Sequence, residues 1–241
     1  MGTVFSLDLR DDVPTDLVDR AFAELHAIDT RFSTYRTDSE VSRLGRGELP
    51  SSEISDQLRE VLELADQLRR TSGGAFDVHR HRADGGFDPS GIVKGWALER
   101  AQGLLDEGGA RNYTLNGGGD VVARGTADGG LPWRIGIAHP TERDRVAAVL
   151  GLTDLAVATS GSYERGDHIR DPRTGRSPEE LWSVSVVGPS ILWADAYATT
   201  AYVMGLDGLG WVAAQAGYGA CAITRGGRLV TTDRFEALRL S

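Results

Sequence analysis

Near the start of the chain Phe5, Leu7 and Leu9 alternate with Val4, Ser6 and Asp8, the period-two pattern of a half-buried strand. After the helix-start signal Val13-Pro14-Thr15-Asp16, the residues Leu17, Ala21, Leu25 and Ile28 recur at helical spacing. A second helix is predicted from about Ser51-Ser52, with Glu53 in its first turn and a stripe of Leu58, Leu62, Ala65 and Leu68, ending at Ser72-Gly73-Gly74. A third runs from about Ile92 to Leu105 and stops at Gly108-Gly109. From Tyr113 the texture changes to short strands at 121–123, 133–137, 146–152, 155–158 and 183–187, the last closed by Pro189. Ile191 to Met204 then reads as an Ala-rich helix and Leu209 to Ala216 as another, followed by two terminal strands. Helices and strands mix without a regular strand–helix–strand repeat, which predicts an α+β fold of mixed/antiparallel sheets with flanking helices. With no repeat, low-complexity tract or linker, residues 1–241 read as a single domain, large enough to form two subdomains around a cleft.

Composition narrows the function classes. A formal net charge of -9 in 241 residues and a pI near 5.1 argue against nucleic acid as a partner, because a duplex-binding surface needs clustered Lys and Arg. No stretch approaches the ~18 apolar residues of a membrane span. The single cysteine, Cys221, lies in the apolar run Ala220 to Ile223 and reads as a buried thiol, and one cysteine allows no internal disulfide. The opening Met1-Gly2-Thr3 lacks the basic and apolar regions of a signal peptide, and its match to an acylation pattern competes with the strand reading, which we prefer.

The 31 glycines invite a search for phosphate-binding loops. Gly86 and Gly91 have P-loop spacing, but Ile92-Val93 stand where Lys and Ser/Thr are required; Asn116-Gly117-Gly118-Gly119-Asp120 leads into a strand and lacks the dinucleotide spacing. The segment Asp88 to Glu99 opens a helix whose first amide groups and Lys94 suit an anion, though a plain helix start with a solvated lysine fits equally well. Asp171-Pro172 and Thr174-Gly175 form a turn, placing His168 at a strand end beside hydroxyls, where an imidazole can act as general base. Asp195 and Thr199 stand four residues apart on one helix face among small alanines. That is hard-oxygen ligation for Mg²⁺, or a dipole-favoured acid with a packing threonine.

The order of these clusters carries more than any one of them. Met1-Gly2-Thr3, Phe32-Ser33-Thr34-Tyr35, Gly74-Ala75-Phe76-Asp77 and Ser90-Gly91-Ile92-Val93-Lys94-Gly95 come first. Asn116 to Asp120, Ala158-Thr159-Ser160-Gly161, His168-Ile169 with Asp171-Pro172, and Ala194-Asp195-Ala196 with Ala198-Thr199 follow. Together they resemble the ApbE family of FAD:protein FMN transferases over nearly the whole chain, from Met1 to about Gly205. The resemblance implies an ApbE-like (T-fold-like) domain with a central FAD cleft, and transfer of FMN from FAD to a Ser/Thr hydroxyl of an acceptor protein with release of AMP. It implies Mg²⁺ held by the side chains of Asp195 and Thr199 and the carbonyl of Val93. It further implies FAD contacts from Met1, Tyr35, Gly74, Ala75, Phe76, Asp77, Lys94, Glu99, Ser160, Gly161 and Ile169. His168 is the candidate to take the hydroxyl proton.

Three features depart from the family pattern. The interval from Asp77 to Asp88 is short, Val93 and Trp96 replace the more usual Ala and Tyr, and Met1 is also the possible initiator. Many family members are exported lipoproteins, but no lipobox precedes Met1, so a cytoplasmic enzyme is expected. A FAD pyrophosphatase using the same metal site and a non-catalytic FAD-binding protein are the competing readings.

Overall fold

The computed structural model describes residues 3–79, 86–142, 144–162 and 169–240. Strand β1 (Phe5–Leu9) shows the alternation expected of it, with Phe5, Leu7 and Leu9 packed against the main core. Helix α1 (Thr15–Phe32) buries Leu17, Ala21, Leu25, Ile28 and Phe32 along one stripe. A six-residue helix α2 (Glu40–Gly45) follows, too short to leave a periodic signal; Ser39 Oγ caps it by accepting the Ser42 N–H. Helix α3 (Asp56–Thr71) starts four residues after the expected Ser51-Ser52, because Ser55 supplies the cap: its Oγ accepts the Leu58 N–H and donates to Glu40 Oε2 at 2.8 Å. The stripe buries Leu58, Val61, Ala65 and Leu68.

Helix α4 (Ser90–Glu107) begins two residues earlier than expected and ends at Gly108. Strands β2 (Tyr113–Gly117), β3 (Asp120–Arg124), β4 (Trp133–Ala138), β5 (Val146–Leu152), β6 (Leu155–Gly161) and β7 (Leu181–Gly188) follow. After them come α5 (Ile191–Met204), α6 (Asp207–Ala213), β8 (Gly219–Thr224) and β9 (Leu229–Thr231). A final helix α7 (Asp233–Leu238) joins the two expected terminal strands.

Seven strands form one antiparallel sheet in the order β1-β2-β3-β6-β7-β8-β9, and β4-β5 is a separate hairpin inserted between the neighbours β3 and β6. The two faces of the sheet read differently, as strand alternation requires. On the front, Val122, Ala156, Ala158, Val184, Val186, Ala220 and Ala222 join the core shared with the helices. On the back, Val121, Val157, Val187 and Cys221 meet Trp133, Ile137, Leu150 and Leu152 of the hairpin and Phe235 of α7. None of the described helices is long and apolar enough to cross a membrane.

Helices α4 and α5 lie against each other in front of the sheet at a distance only glycine allows. A Cβ on Gly95 would sit 2.8 Å from Asp195 Cβ, 2.8 Å from the Ile191 carbonyl oxygen and 3.0 Å from Leu192 Cα. Both helices are buried on most sides, so neither keeps a clean amphipathic stripe.

Candidate active site

Five side chains from four elements converge at one end of the sheet. Asp120 opens β3, Ser160 lies at the end of β6, Lys94 stands on α4, and Asp195 and Thr199 share one face of α5. The antiparallel β3–β6 register, Val121 opposite Val157, brings the start of one strand beside the end of the other.

The Lys94 ammonium bridges two carboxylates. It contacts Asp120 Oδ2 and lies 3.3 Å from Asp195 Oδ1. Both acids are buried, Asp120 wholly so. Each has its second oxygen tied to the backbone: Thr159 N–H donates to Asp120 Oδ1 at 3.0 Å, and Gly95 N–H donates to Asp195 Oδ2 at 2.8 Å. Beside them the Ser160 and Thr199 hydroxyls share a 2.9 Å hydrogen bond.

The electrostatics follow from this burial. Loss of water drives the Asp195 carboxyl well above the usual carboxylate range; Lys94 opposes that shift and Asp120 adds to it by repulsion. Burial works against the charge on Lys94, but the two carboxylates outweigh it and hold the ammonium more firmly protonated than a free lysine. With both acids ionised the group carries one excess negative charge. Asp195 Oδ1 and the two hydroxyls form a hard-oxygen set suited to a small divalent cation. Among the described residues no cluster of three His, Cys, Asp or Glu competes with this set as a metal site.

Phe76 reaches the same place. A Cβ on Gly91, in the first turn of α4, would meet the Phe76 ring at 3.1 Å and Thr199 Cγ2 at 3.6 Å. Ala75 and Phe76 are buried, while Gly74, at φ 81°, makes the positive-φ turn that turns the chain out of α3. Asp77 accepts the His79 N–H at 2.9 Å. Tyr35 is 84% exposed, its ring free to meet a ligand. Gly161 ends β6 and Ile169 is buried in the main core. Val93, one residue before Lys94, has a buried side chain, so only its backbone can serve a ligand. Met1 and His168 lie outside the described residues.

Two sequence expectations take a different form in the structure. Lys94 does not stand as a free cation at a helix start but is engaged by two acids. Glu99 turns to the N-terminus of α5, where it bonds Ser190 and the Leu192 N–H; burial nonetheless pushes its carboxyl upward. One member of the group was not foreseen. Asp120 closes the Asn116–Asp120 motif, which reads as a tight turn, and its pairing with Lys94 spans a separation no local pattern encodes.

Known proteins share the sequence pattern and the fold. The family model described as "ApbE family" matches residues 1–84 and 79–222. A protein of Haemophilus influenzae named FAD:protein FMN transferase is 27% identical over 274 aligned positions, covering 86% of this chain and 79% of the relative. An Escherichia coli protein of the same name is 35% identical over 58% of this chain; that match spans 43% of the relative's length, less than half of it. Among solved structures, the flavin transferase ApbE from Vibrio cholerae superposes with a TM-score of 0.84 at 26% identity, covering 99% of this chain and 96% of the other. The seven-stranded sheet and these matches lead to one assignment: this chain belongs to the ApbE family.

Proposed function

We propose that this protein transfers the FMN half of FAD to a Ser or Thr hydroxyl of an acceptor protein and releases AMP. The observation that carries the reading is the buried Asp195–Lys94–Asp120 group beside the Ser160–Thr199 pair, in a chain whose relatives are named FAD:protein FMN transferases. The donor set fits Mg²⁺, with Asp195 and Thr199 as side-chain ligands and the Val93 carbonyl as a third. When bound, that ion supplies positive charge to the pyrophosphate oxygens.

The chain's own residues do the rest. Gly95 fixes the rotation of the Asp195 carboxylate through Oδ2, so that Oδ1 is shared between Lys94 and the metal when the metal is bound. Ser160 orients the Thr199 hydroxyl. Lys94, held between Asp120 and Asp195, offsets one of their two negative charges beside the pyrophosphate. Gly74, Ala75, Phe76 and Asp77 line the flavin side of the cleft, Tyr35 stacks on the ring system, and Met1, Gly161 and Ile169 border the ligand, while Glu99 holds the N-terminus of α5. The acceptor hydroxyl attacks the FMN-side phosphorus, its proton passes to His168, and the bridging P–O bond breaks to free AMP. Residues 1–241 act as one domain, with the cleft between two subdomains. The same proposal places the reaction in the cytoplasm, supported by a cysteine count of one.

Product analysis tests the reading. The protein is mixed with FAD, Mg²⁺ and candidate acceptors bearing accessible Ser or Thr, and intact masses are recorded. Covalent FMN on the acceptor in equal amount to AMP is expected. Free FMN with AMP and no adduct makes the protein a pyrophosphatase, and retained FAD with no AMP makes it a binding protein; either result overturns transfer.

A further inference from the structure

The back face of the sheet is only half covered. The β4-β5 hairpin and α7 pack over β3, β6, β7 and β8, but over β1 and β2 the back face is a polar floor of Ser6, Asp8, Thr114 and Asn116. The step between covered and uncovered halves is a groove of about 430 Å³ walled by the outer edge of β4.

That edge has no strand partner among the described residues. On the far side of β5, Leu240 N–H donates to the Val149 carbonyl at 2.8 Å, so the backbone groups of Val149 point away from β4. Val149 pairs with Gly136 and Gly151 with Arg134. In an antiparallel ladder directly opposed residues either face each other or both face away, so the N–H and C=O groups of Gly136 and Arg134 point into the groove. Among the described residues no strand or loop takes them up. The Arg134 side chain is exposed and has no hydrogen bond or ion pair with the described residues, whereas Asp8 on the floor is neutralised by Arg10 at 3.0 Å. Arg134 is the one cation lining the groove, and it has no ion-pair partner among the described residues, while Arg10 is shared between Asp8 and Asp128.

Its far end lies on the opposite face of the sheet from the active site, one residue along the chain from two of the site's members. The groove is bounded there by the Gly118-Gly119 turn and by Thr159. The next residue after the turn is Asp120, and the next after Thr159 is Ser160, both members of the buried polar group on the other face of the sheet.

We propose that this groove binds the acceptor polypeptide as an added strand beside β4, with an acidic residue of the acceptor paired to Arg134. The segment leaves over the glycine turn and presents its Ser or Thr at the Asp195 end. Main-chain pairing with Gly136 and Arg134 gives affinity with little sequence demand, and Arg134 sets the preference. The inference rests on the transfer reading given above.

The test uses the full chain with FAD and Mg²⁺ and two pools of synthetic peptides. Each peptide has one Thr, and the flanking variable positions hold Asp in one pool and Lys in the other. The wild-type protein is expected to modify the Asp pool faster by about tenfold, the effect of one complementary charge pair, and Arg134→Glu to reverse the preference. Gly136→Pro removes a main-chain donor from an exposed edge and is expected to lower kcat/KM on both pools by about tenfold. FAD affinity should stay unchanged in both variants, which also reports that they fold. A pool preference identical in wild type and Arg134→Glu overturns the groove assignment while leaving transfer intact. Variants that change only the oligomeric state overturn it as well, making the β4 edge a contact between copies. A wild-type protein that cleaves FAD but modifies no peptide or protein acceptor fails the transfer reading itself, and the groove assignment falls with it.

Discussion

The amide of Gly95 on α4 donates to Asp195 Oδ2 on α5 at 2.8 Å, across a helix pair whose approach leaves no room for a Cβ at position 95. One backbone group thus sets both the spacing of two buried helices and the rotation of the carboxylate assigned to the metal. The neighbours of that missing Cβ are backbone and Cβ atoms, which cannot swing aside.

Gly95→Ala is therefore expected to destabilise the fold by about 1–3 kcal/mol, the cost of overpacking a closed core site. It should also weaken metal binding, because α5 must move. Gly103 on the same helix has open space around its Cβ position. Gly103→Ala is expected to stabilise by about 0.5–1 kcal/mol. Urea denaturation of the two variants checks the contrast; equal effects would remove the steric argument.

Asp120→Asn keeps the shape of the side chain but takes one of two carboxylates from Lys94. The Lys94 pKa should fall toward its ordinary value, and activity should drop about 10- to 100-fold, as for loss of a group supporting a metal ligand. Steady-state rates at saturating FAD, with thermal melting as a control, separate this from simple unfolding. A wild-type rate would show that Asp120 serves only the strand.

The parts of the fold that were legible in the sequence are those with a single buried side. Leu17, Ala21, Leu25 and Ile28 on α1 and Leu58, Ala65 and Leu68 on α3 are all buried, as a stripe facing one core must be. Phe5, Leu7 and Leu9 kept their strand period for the same reason. Helices α2 and α7, six residues each, are less than two turns long and left no period to detect. In the site, Asp195 and Thr199 were legible because four residues is a helix repeat. The Lys94–Asp120 and Ser160–Thr199 contacts were not, since each joins a strand to a helix and exists only once the sheet order is set.

Burial lifts the Asp195 carboxyl to about 7, Lys94 opposing and Asp120 assisting. Metal needs the ionised form, so Mg²⁺ affinity is expected to fall as pH drops below about 7, by up to about tenfold per unit. The sign for stability is opposite. A carboxyl whose folded pKa is raised above 3.8 contributes stability that is full below that value and lost as pH rises through about 7. Melting curves without metal should show that loss, and saturating Mg²⁺ should cancel it. A flat pH response of both quantities contradicts the assignment of Asp195.

His168 enters from the sequence alone. If it accepts the hydroxyl proton, His168→Ala should lower kcat about 10²- to 10⁴-fold, the usual worth of general-base catalysis, with FAD affinity unchanged. Single-turnover kinetics at saturating FAD and Mg²⁺ decide this, and an unaltered rate would transfer the role to another group.

Breakage of the FAD pyrophosphate at Asp195 and Thr199 is the step on which the proposed transfer depends. The most direct measurement is AMP release and covalent flavin formation by Asp195→Ala across a range of Mg²⁺ concentrations, beside the wild-type protein. Both products are expected to vanish together, and the dependence on Mg²⁺ with them. A variant that releases AMP at the wild-type rate with an unchanged Mg²⁺ requirement would contradict the proposed step.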